Sequence, residues 1–448
     1  MAKLKVYREQ VNAVDRRNEP AMKEYIRKAH PLRGTITLPG DKSISHRAIM
    51  FSALANGLSE IDGLSLGHDV KSTIACLKQL GITIKSKDNI IQVYGRGMLG
   101  LQKPKSTLNV GNSSTTMQLL SGILSGQNFS SEITGDDSLT KQSMRRIIEP
   151  LRAMEADIIG HDQYFAPLII HGHILANGSH ELEVSSAQVK SCLLLAGMYA
   201  QGETKIIESI KSRDHSERLL SYMGANISIK DKSVSIEGFP RLTPTRIYVP
   251  GDVSLAAFFV VATLLIKNSE LIIKNVGINS TRCGILDVLA QMGASIEYSN
   301  KKNQNYESSG DLTIRSSDLT GTTISNAISP RIIGELPILI VVATQARGRT
   351  FIENAIELSA KEIVKIGTMI DNLSRMGVRI EKRPEGIIIE GQQKLTGAEL
   401  DCCGDHRVAM ALAIAGLLAE GDTIIDNAEC VDNSFPGFFF QLEDLCYD

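Results

Sequence analysis

The sequence predicts an α/β protein of two domains, each holding three copies of one unit. Three observations predict it. The chain has 448 residues, enough for two or more cores. Helix-period apolar patterns alternate with period-2 runs along it. A phrase also recurs: an apolar helix end, a glycine step, then an alternating strand-like run. It reads LKQLGITIK at Leu77–Lys85, LRAMEADII at Leu151–Ile159, LSYMGANISI at Leu220–Ile229, LAQMGASIEY at Leu289–Tyr298 and LSRMGVRIEK at Leu373–Lys382. The anchors Gly81, Glu155, Gly224, Gly293 and Gly377 are spaced 74, 69, 69 and 84 residues apart. Glycine suits a helix that stops and turns into a strand, because that step uses a left-handed residue. The closing FQLEDLCYD reads as a sixth copy cut short.

The elements follow in order. Unit one predicts a helix over Lys42–Asn56, a strand at Leu58–Ile61, a helix over Asp69–Leu80, and strands near Ile82–Lys85 and Ile90–Tyr94. Unit four repeats this as Asp252–Ile266, Glu270–Lys274, Thr281–Met292, Ser295–Tyr298 and Leu312–Arg315. Leu255–Ile266 is apolar on nearly every face, which predicts a buried helix. Leu119–Leu124, Met144 and Met154 are expected in the core. The polar piece Ser299–Gly310 reads as a surface loop. Units one and four open alike, on Pro39-Gly40-Asp41-Lys42-Ser43 and Pro250-Gly251-Asp252-Val253-Ser254. That divides the chain into an N-terminal extension (1–33), a discontinuous domain (34–39 plus 251–448) and a second domain (40–250). Gly34–Leu38 alternates like a strand, so the N-terminus should complete the C-terminal domain and the chain should cross between domains twice.

Composition excludes several functions. Lys+Arg number 48 and Asp+Glu 50, a net charge of −2 that offers no broad basic footprint for nucleic acid or a membrane surface. Aromatics reach 5% and Trp is absent, which argues against base stacking as the main activity. Met1–Arg33 lacks the apolar core of a secretory signal, and Leu255–Ile266 is too short to span a bilayer. Seven cysteines without a CxxC pair read as reduced thiols of a cytoplasmic protein, and Cys402-Cys403 as packing. His171 and His173, with His161 and His180 nearby, have no Cys or carboxylate at ligand spacing; they read as a surface turn, and no metal is expected. Neither a Walker A sequence nor a GxGxxG is present, so nucleotide binding lacks support.

Several unit openings pair glycine with a capping residue: Gly40-Asp41, Gly111-Asn112-Ser113, Gly251-Asp252 and Gly404-Asp405. Capping alone accounts for the Gly251 copy. Elsewhere cations gather at helix starts: Lys42, Arg47, Lys141, Arg213, Lys361, Lys365 and Arg407. A helix N-terminus already favours anions through its free N–H groups, so added cations do not serve the helix. They serve a phosphate- or carboxylate-bearing ligand if several such ends meet between the domains. An open interdomain cleft that closes on that anion is expected.

At these residues the sequence resembles the 5-enolpyruvylshikimate-3-phosphate synthase family of the enolpyruvyl transferases. The motifs are LPGDKSISHRA (Leu38–Ala48), TGDDSLTKQSMRRIIEPL (Thr134–Leu151), SSAQVKSCLLLAG (Ser185–Gly197), SRDHSERLL (Ser212–Leu220) and GDHRVAMA (Gly404–Ala411). The likeness runs from about Leu32 to Leu445. It implies the enolpyruvyl transferase fold, two domains of three βαβαββ units around a pseudo-threefold axis, an inside-out α/β barrel. It also implies transfer of the enolpyruvyl group of phosphoenolpyruvate to the 5-hydroxyl of shikimate 3-phosphate, a step of chorismate and aromatic amino-acid biosynthesis. The implied enzyme is cofactor-free, and a monomer is expected, with small anionic substrates for partners.

The resemblance implies roles residue by residue. Lys42, Ser43, Arg47, Ser186, Gln188, Arg213 and Lys361 match the shikimate 3-phosphate half, and Lys42 and Glu362 match catalytic positions. The phosphoenolpyruvate half corresponds to Asn112, Thr115, Gln142, Gln188, Lys365 and Arg407. That half departs from the family pattern. Gln118 and Gln142 stand where the family writes arginine, Lys365 replaces another arginine, and Gly334 occupies the catalytic aspartate position. Lysine keeps the charge but loses the bidentate fork. Two other readings therefore accompany the transferase: a phosphoenolpyruvate-independent step such as elimination on shikimate 3-phosphate or a related cyclic acid, and a non-catalytic ligand-binding paralogue.

Overall fold

The computed structural model describes residues 22–304, 306–353 and 360–446. Six small sheets carry the architecture, five of four strands and one of three. Each four-stranded sheet has the same plan. A short strand pairs in parallel with a second, the second pairs antiparallel with a fourth, and the fourth pairs antiparallel with the third. In the first unit the second to fourth strands are Asn56–Asp62, Thr83–Lys87 and Ile90–Arg96. The parallel partner of Asn56–Asp62 is Arg246–Tyr248, the last strand before the second Pro-Gly-Asp phrase. Unit four is closed the same way, with Arg33–Thr37 pairing in parallel with Glu270–Gly277.

The recurring anchors all take left-handed backbone: φ is 85° at Gly81, 63° at Glu155, 98° at Gly224, 93° at Gly293 and 89° at Gly377. The phrase is therefore a helix stop repeated five times. The sixth copy is the helix Phe438–Cys446, the last element among the described residues. Its sheet, Glu399–Asp401 and Thr423–Asp426, gains its third strand from Glu24–Ile26, antiparallel to Thr423–Asp426. Residues 22–30 thus lie against the last unit: Ala29 N donates to Leu417 O and His30 N to Cys446 O. Residues 1–21 of the extension lie outside the described residues.

One buried helix per unit fills the centre: Lys42–Leu54, Ser114–Ser125 and Ala187–Gly197 in one lobe, Val253–Leu265, Leu336–Gln345 and His406–Leu418 in the other. They are buried on nearly every face because they pack on each other and on the sheets. One core draws on residues 44–249 plus Tyr306, the other on residues 26–38 and 253–446. Leu119–Leu124, Met144 and Met154 are buried in the first. Among the described residues no single helix is long and apolar enough to cross a membrane.

The two crossovers run side by side. Gly40 and Gly251 form a bridge, with Asp41 N donating to Pro250 O (2.8 Å) and Asp252 N to Pro39 O (3.0 Å). Gly40 has to be glycine, since a Cβ there would lie 1.9 Å from the Gly63 carbonyl oxygen. This ladder places the first residues of helices Lys42–Leu54 and Val253–Leu265 against one another.

The piece Ser299–Gly310 is not a surface loop. It is most of a long hairpin, Ser295–Gln304 and Glu307–Arg315, and Tyr306, Glu307 and Ser309 are buried. Tyr306 joins the opposite lobe's core, stacks on Tyr222 (5.6 Å) and donates its hydroxyl to Tyr248 O (3.0 Å). Its polar composition suggested solvent, but the other lobe supplies the partners.

Candidate functional site

The site is built from helix starts. Asp41 caps Lys42–Leu54, accepting from Ile44 N at 2.9 Å. The cap fixes Lys42 in the first turn, where its Nζ donates to Asp69 Oδ2 (2.8 Å) and, across the lobes, to Ser434 Oγ (2.9 Å). Its backbone N donates to Asp252 Oδ2 of the opposite lobe (3.1 Å). Asp252 therefore does more than cap its own helix. The expected open cleft is absent between these elements: the lobes are already bridged at Lys42.

One turn on, Arg47 is buried and donates through Nε to Ser216 Oγ (2.7 Å), through Nη1 to Ser43 O (2.9 Å) and through Nη2 to Ser191 Oγ (2.6 Å). Burial pulls its guanidinium down to about 10, so it stays charged at neutral pH. Guanidinium carries five N–H groups, so two remain for a ligand. Ser186 caps the helix Ala187–Gly197, and Gln188, one position into that helix, donates to Thr115 Oγ1 at 3.4 Å. Beneath, Lys190 Nζ is held between Glu208 (2.8 Å) and Glu217 (2.7 Å), all three buried. Burial disfavours its charge, but Glu217 and Glu208 prevail and keep the ammonium above its ordinary value. Sequence inspection missed this trio; its only signal was a lysine inside an apolar helix.

Arg213, half-buried, ties the halves together. Burial and then Arg282 pull its guanidinium down to about 9, with Arg407 adding to the effect and Glu335 opposing it. A cation so crowded by cations is a place for an anion. Arg407 follows Asp405, the N-cap of His406–Leu418, and Lys365 Nζ lies 3.3 Å from Asp405 Oδ2. Burial would push the Asp405 carboxyl up, but Lys365 foremost holds it well below the carboxylate range.

The departures have a structural consequence at Gly334. A Cβ there would lie 2.2 Å from Arg407 Nη1, so Arg407 rests on the backbone where a side chain would otherwise stand. The neighbouring Glu335 is buried and accepts from Ser254 Oγ and from Arg282 Nη1 (3.2 Å). Burial favours the neutral acid, but Arg282, Arg407 and Arg213 hold the carboxyl below its ordinary value. Gln142 turns back to Ser138 O (3.5 Å), Gln118 to Ser114 Oγ (2.9 Å), and Asn112 bonds Asp136 (2.8 Å). Glu362 and Lys365 lie in the first turns of Ala360–Arg375. The side chain of Lys361, and Leu358 and Ser359 before the helix, lie outside the described residues.

Arg282, which the sequence reading passed over, sits at the centre. It pairs with Asp41 (3.6 Å), Asp252 (3.3 Å) and Glu335 (3.2 Å), all buried. Burial would raise the Asp41 carboxyl, yet Arg282 foremost brings it down to about 2. The available signal was the one used elsewhere, a cation just before a helix, here Gly284–Gln291.

The remaining candidates are peripheral. His171 Nδ1 meets Ser130 Oγ at 2.7 Å and His173 Nε2 meets Glu155 O at 2.9 Å, both on the surface. Cys402 is buried 3.7 Å from Cys430, while Cys403 is exposed.

Two lobes of threefold units that press cation-bearing helix starts together along one seam define an anion-binding enzyme of the two-lobed α/β transferase kind. Residues 26–442 match the family model of EPSP synthase (3-phosphoshikimate 1-carboxyvinyltransferase). A protein of that name from Bacillus cytotoxicus is 46% identical over 421 residues, covering 94% of this chain and 99% of its own length. One from Brevibacillus brevis is 46% identical over 92% of this chain and 97% of its own. The solved EPSP synthase of Acinetobacter baumannii superposes with a TM-score of 0.85 at 38% identity, covering 95% of this chain and 98% of that one. The chain belongs to the EPSP synthase family.

Proposed function

We propose that this chain carries out the family reaction, transferring the enolpyruvyl group of phosphoenolpyruvate to the 5-hydroxyl of shikimate 3-phosphate with release of phosphate. The observation that carries the reading is the seam itself: Lys42 bonds Ser434 across it and Arg213 crowds Arg407. On this reading the domains divide at 39/40 and 250/251, and the substrates sit between the lobes. Lys42, Ser43, Arg47, Ser186, Gln188, Arg213 and Lys361 take shikimate 3-phosphate. Serines and the Gln188 amide orient its oxygens, while the cations supply charge-assisted bonds worth about 1.5–3 kcal/mol each.

Asn112, Thr115, Gln142, Gln188, Lys365 and Arg407 face phosphoenolpyruvate. Joining the 5-hydroxyl oxygen to C2 of phosphoenolpyruvate removes the hydroxyl proton and adds a proton at C3; the C2–O bond to phosphate then breaks as a proton leaves C3 and the double bond re-forms. Lys42 and Glu362 are the groups assigned to these transfers. Glu335 is not assigned to them: Arg282 and Ser254 bond its Oε1, while its buried Oε2 has no hydrogen-bond partner among the described residues. Seven thiols without a disulfide suit a cytoplasmic setting, and the chain is read as a monomer.

Calorimetry tests the reading. Shikimate 3-phosphate titrated alone should bind, phosphoenolpyruvate should bind the resulting binary complex, and the mixture should release inorganic phosphate. Binding of the first ligand with a new product formed in the absence of phosphoenolpyruvate would replace the transfer by an elimination-type step. Absence of any shikimate 3-phosphate binding would overturn the assignment of the seam.

A further inference from the structure

Three residues of one short stretch grip both cationic ends of the opposite lobe. They are Asn279, Thr281 and Arg282, in the loop between the strand Glu270–Gly277 and the helix Gly284–Gln291. Asn279 Nδ2 donates to Asp214 Oδ1 (2.8 Å) and to Glu307 Oε2 (3.1 Å), and its Oδ1 accepts from Thr281 N (2.9 Å), which sets the loop. Thr281 Oγ1 lies 3.0 Å from Asp214 Oδ1 and accepts from Asp214 N at 3.3 Å. Arg282 reaches the other way, bonding Asp252 and Glu335 and facing Asp41 as an ion pair at 3.6 Å, with no hydrogen bond from its Nε among the described residues. Asn279, Arg282, Asp214 and Asp41 are each no more than 4% exposed, so these bonds are shielded from water.

The positions held are telling. Asp214 directly follows Arg213, and Asp41 directly precedes Lys42. Holding the backbone one residue from each cation sets where that cation points. A second contact supports the first end: His215 Nδ1 meets Glu307 Oε1 at 2.7 Å, both buried. Arg218 adds to the same end, donating to Asp214 (2.8 Å).

We propose that Asn279–Arg282 is a positioning bracket: it sets Arg213 through Asp214 and Lys42 through Asp41, and so fixes the spacing of the seam's two cations. The proposal rests on the reading of the seam as the shikimate 3-phosphate site. None of the bracket residues contacts the ligand; they act through their neighbours.

The test uses the full chain and the variants Thr281→Val, Arg213→Ala, their combination, and Thr281→Ser. Thr281→Val keeps the shape and removes the hydroxyl, and should weaken calorimetric binding of shikimate 3-phosphate about tenfold. Thr281→Ser should restore it. In the Arg213→Ala background Thr281→Val should cost nothing further, because the two act as one unit. Hydrogen exchange without ligand supplies a readout independent of the substrate. Thr281→Val should speed exchange in residues 212–218 beyond the rest of its lobe, and Arg282→Lys should do so in residues 40–47. Wild-type affinity in Thr281→Val, full additivity with Arg213→Ala, or unchanged exchange in both segments would each overturn the bracket. If the wild-type chain binds no shikimate 3-phosphate, the reading of the seam fails, and the exchange measurement still decides the bracket.

Discussion

The two sides of the seam hold their cations differently. On the side of residues 40–250, Arg47 is surrounded by two serine hydroxyls and a backbone carbonyl. Neutral acceptors fix its geometry, and the carboxylates that act on its charge, Glu217 foremost and then Asp41 and Glu307, do so without a direct bond to it. On the opposite side Lys365 faces Asp405, and Arg407 lies over Gly334 beside Glu335. Carboxylates there already offset the charge, so an anion must compete for it. Lys42 stands between the two cases, with Asp69 on its own side and the Ser434 hydroxyl across the seam. One side is preorganised, and the other has to rearrange when its ligand arrives.

The largest effect should come from breaking the charged side at its centre. Arg282→Ala leaves Asp41, Asp252 and Glu335 buried together without their counter-ion, and should cost about 3–5 kcal/mol of stability in denaturant unfolding. A loss below about 1 kcal/mol would mean that water reaches these carboxylates and the seam is wetter than described.

Next in size, Gly334→Asp combined with Gln142→Arg should sharpen the weaker side. The new Cβ forces Arg407 aside, which is inexpensive because only the tip of a flexible side chain must move. Phosphate release should then rise by about 10²-fold, at the low end of what a placed acid or base contributes. No gain in that assay would show that the placement of the eroded motif is wrong.

A smaller effect is expected from pH, on the preorganised side. His46 is fully buried with Nδ1 2.7 Å from Thr73 Oγ1, and burial brings its imidazole down to about 3 from 6.5. Between those values the unfolded chain binds a proton that the folded chain refuses. The contribution is whole above pH 6.5 and is lost as pH falls below it, by about 1.4 kcal/mol per unit. Thermal midpoints at pH 7.5 and 5.5 should show the loss, and His46→Gln should flatten it.

The smallest effect concerns the repeat. Glu155 is the one anchor of five that is not glycine, yet its φ is 63°. Glu155→Gly should stabilise the chain by about 0.5–1 kcal/mol, seen as a raised denaturation midpoint.

Much of the fold was legible because its signals are local. The helix stops at Gly81, Gly224, Gly293 and Gly377 need only their own φ, and the phrase around them shows it. The strand Glu24–Ile26 was not legible. Three residues carry no period of their own, and their place depends on a sheet edge some four hundred positions later that the shortened sixth unit leaves open. Tyr306 was misread for a related reason, since its neighbours are polar and its stacking partner Tyr222 belongs to the other lobe. At the site, Lys42, Arg47, Arg213 and Arg407 were legible as cations at helix starts, and Gln188 only through the family resemblance. Arg282 and the Lys190 trio were not, because a charge's worth depends on who surrounds it.

By itself the sequence determined the repeating units, their helix stops and their cationic starts, since backbone preference and apolar periodicity act over a few residues. Tertiary structure alone decided which of those starts meet, that Arg407 lies down on Gly334, and that one arginine satisfies three distant carboxylates. Electrostatic partnership acts through space, and burial removes the water that would otherwise make such pairings weak and interchangeable.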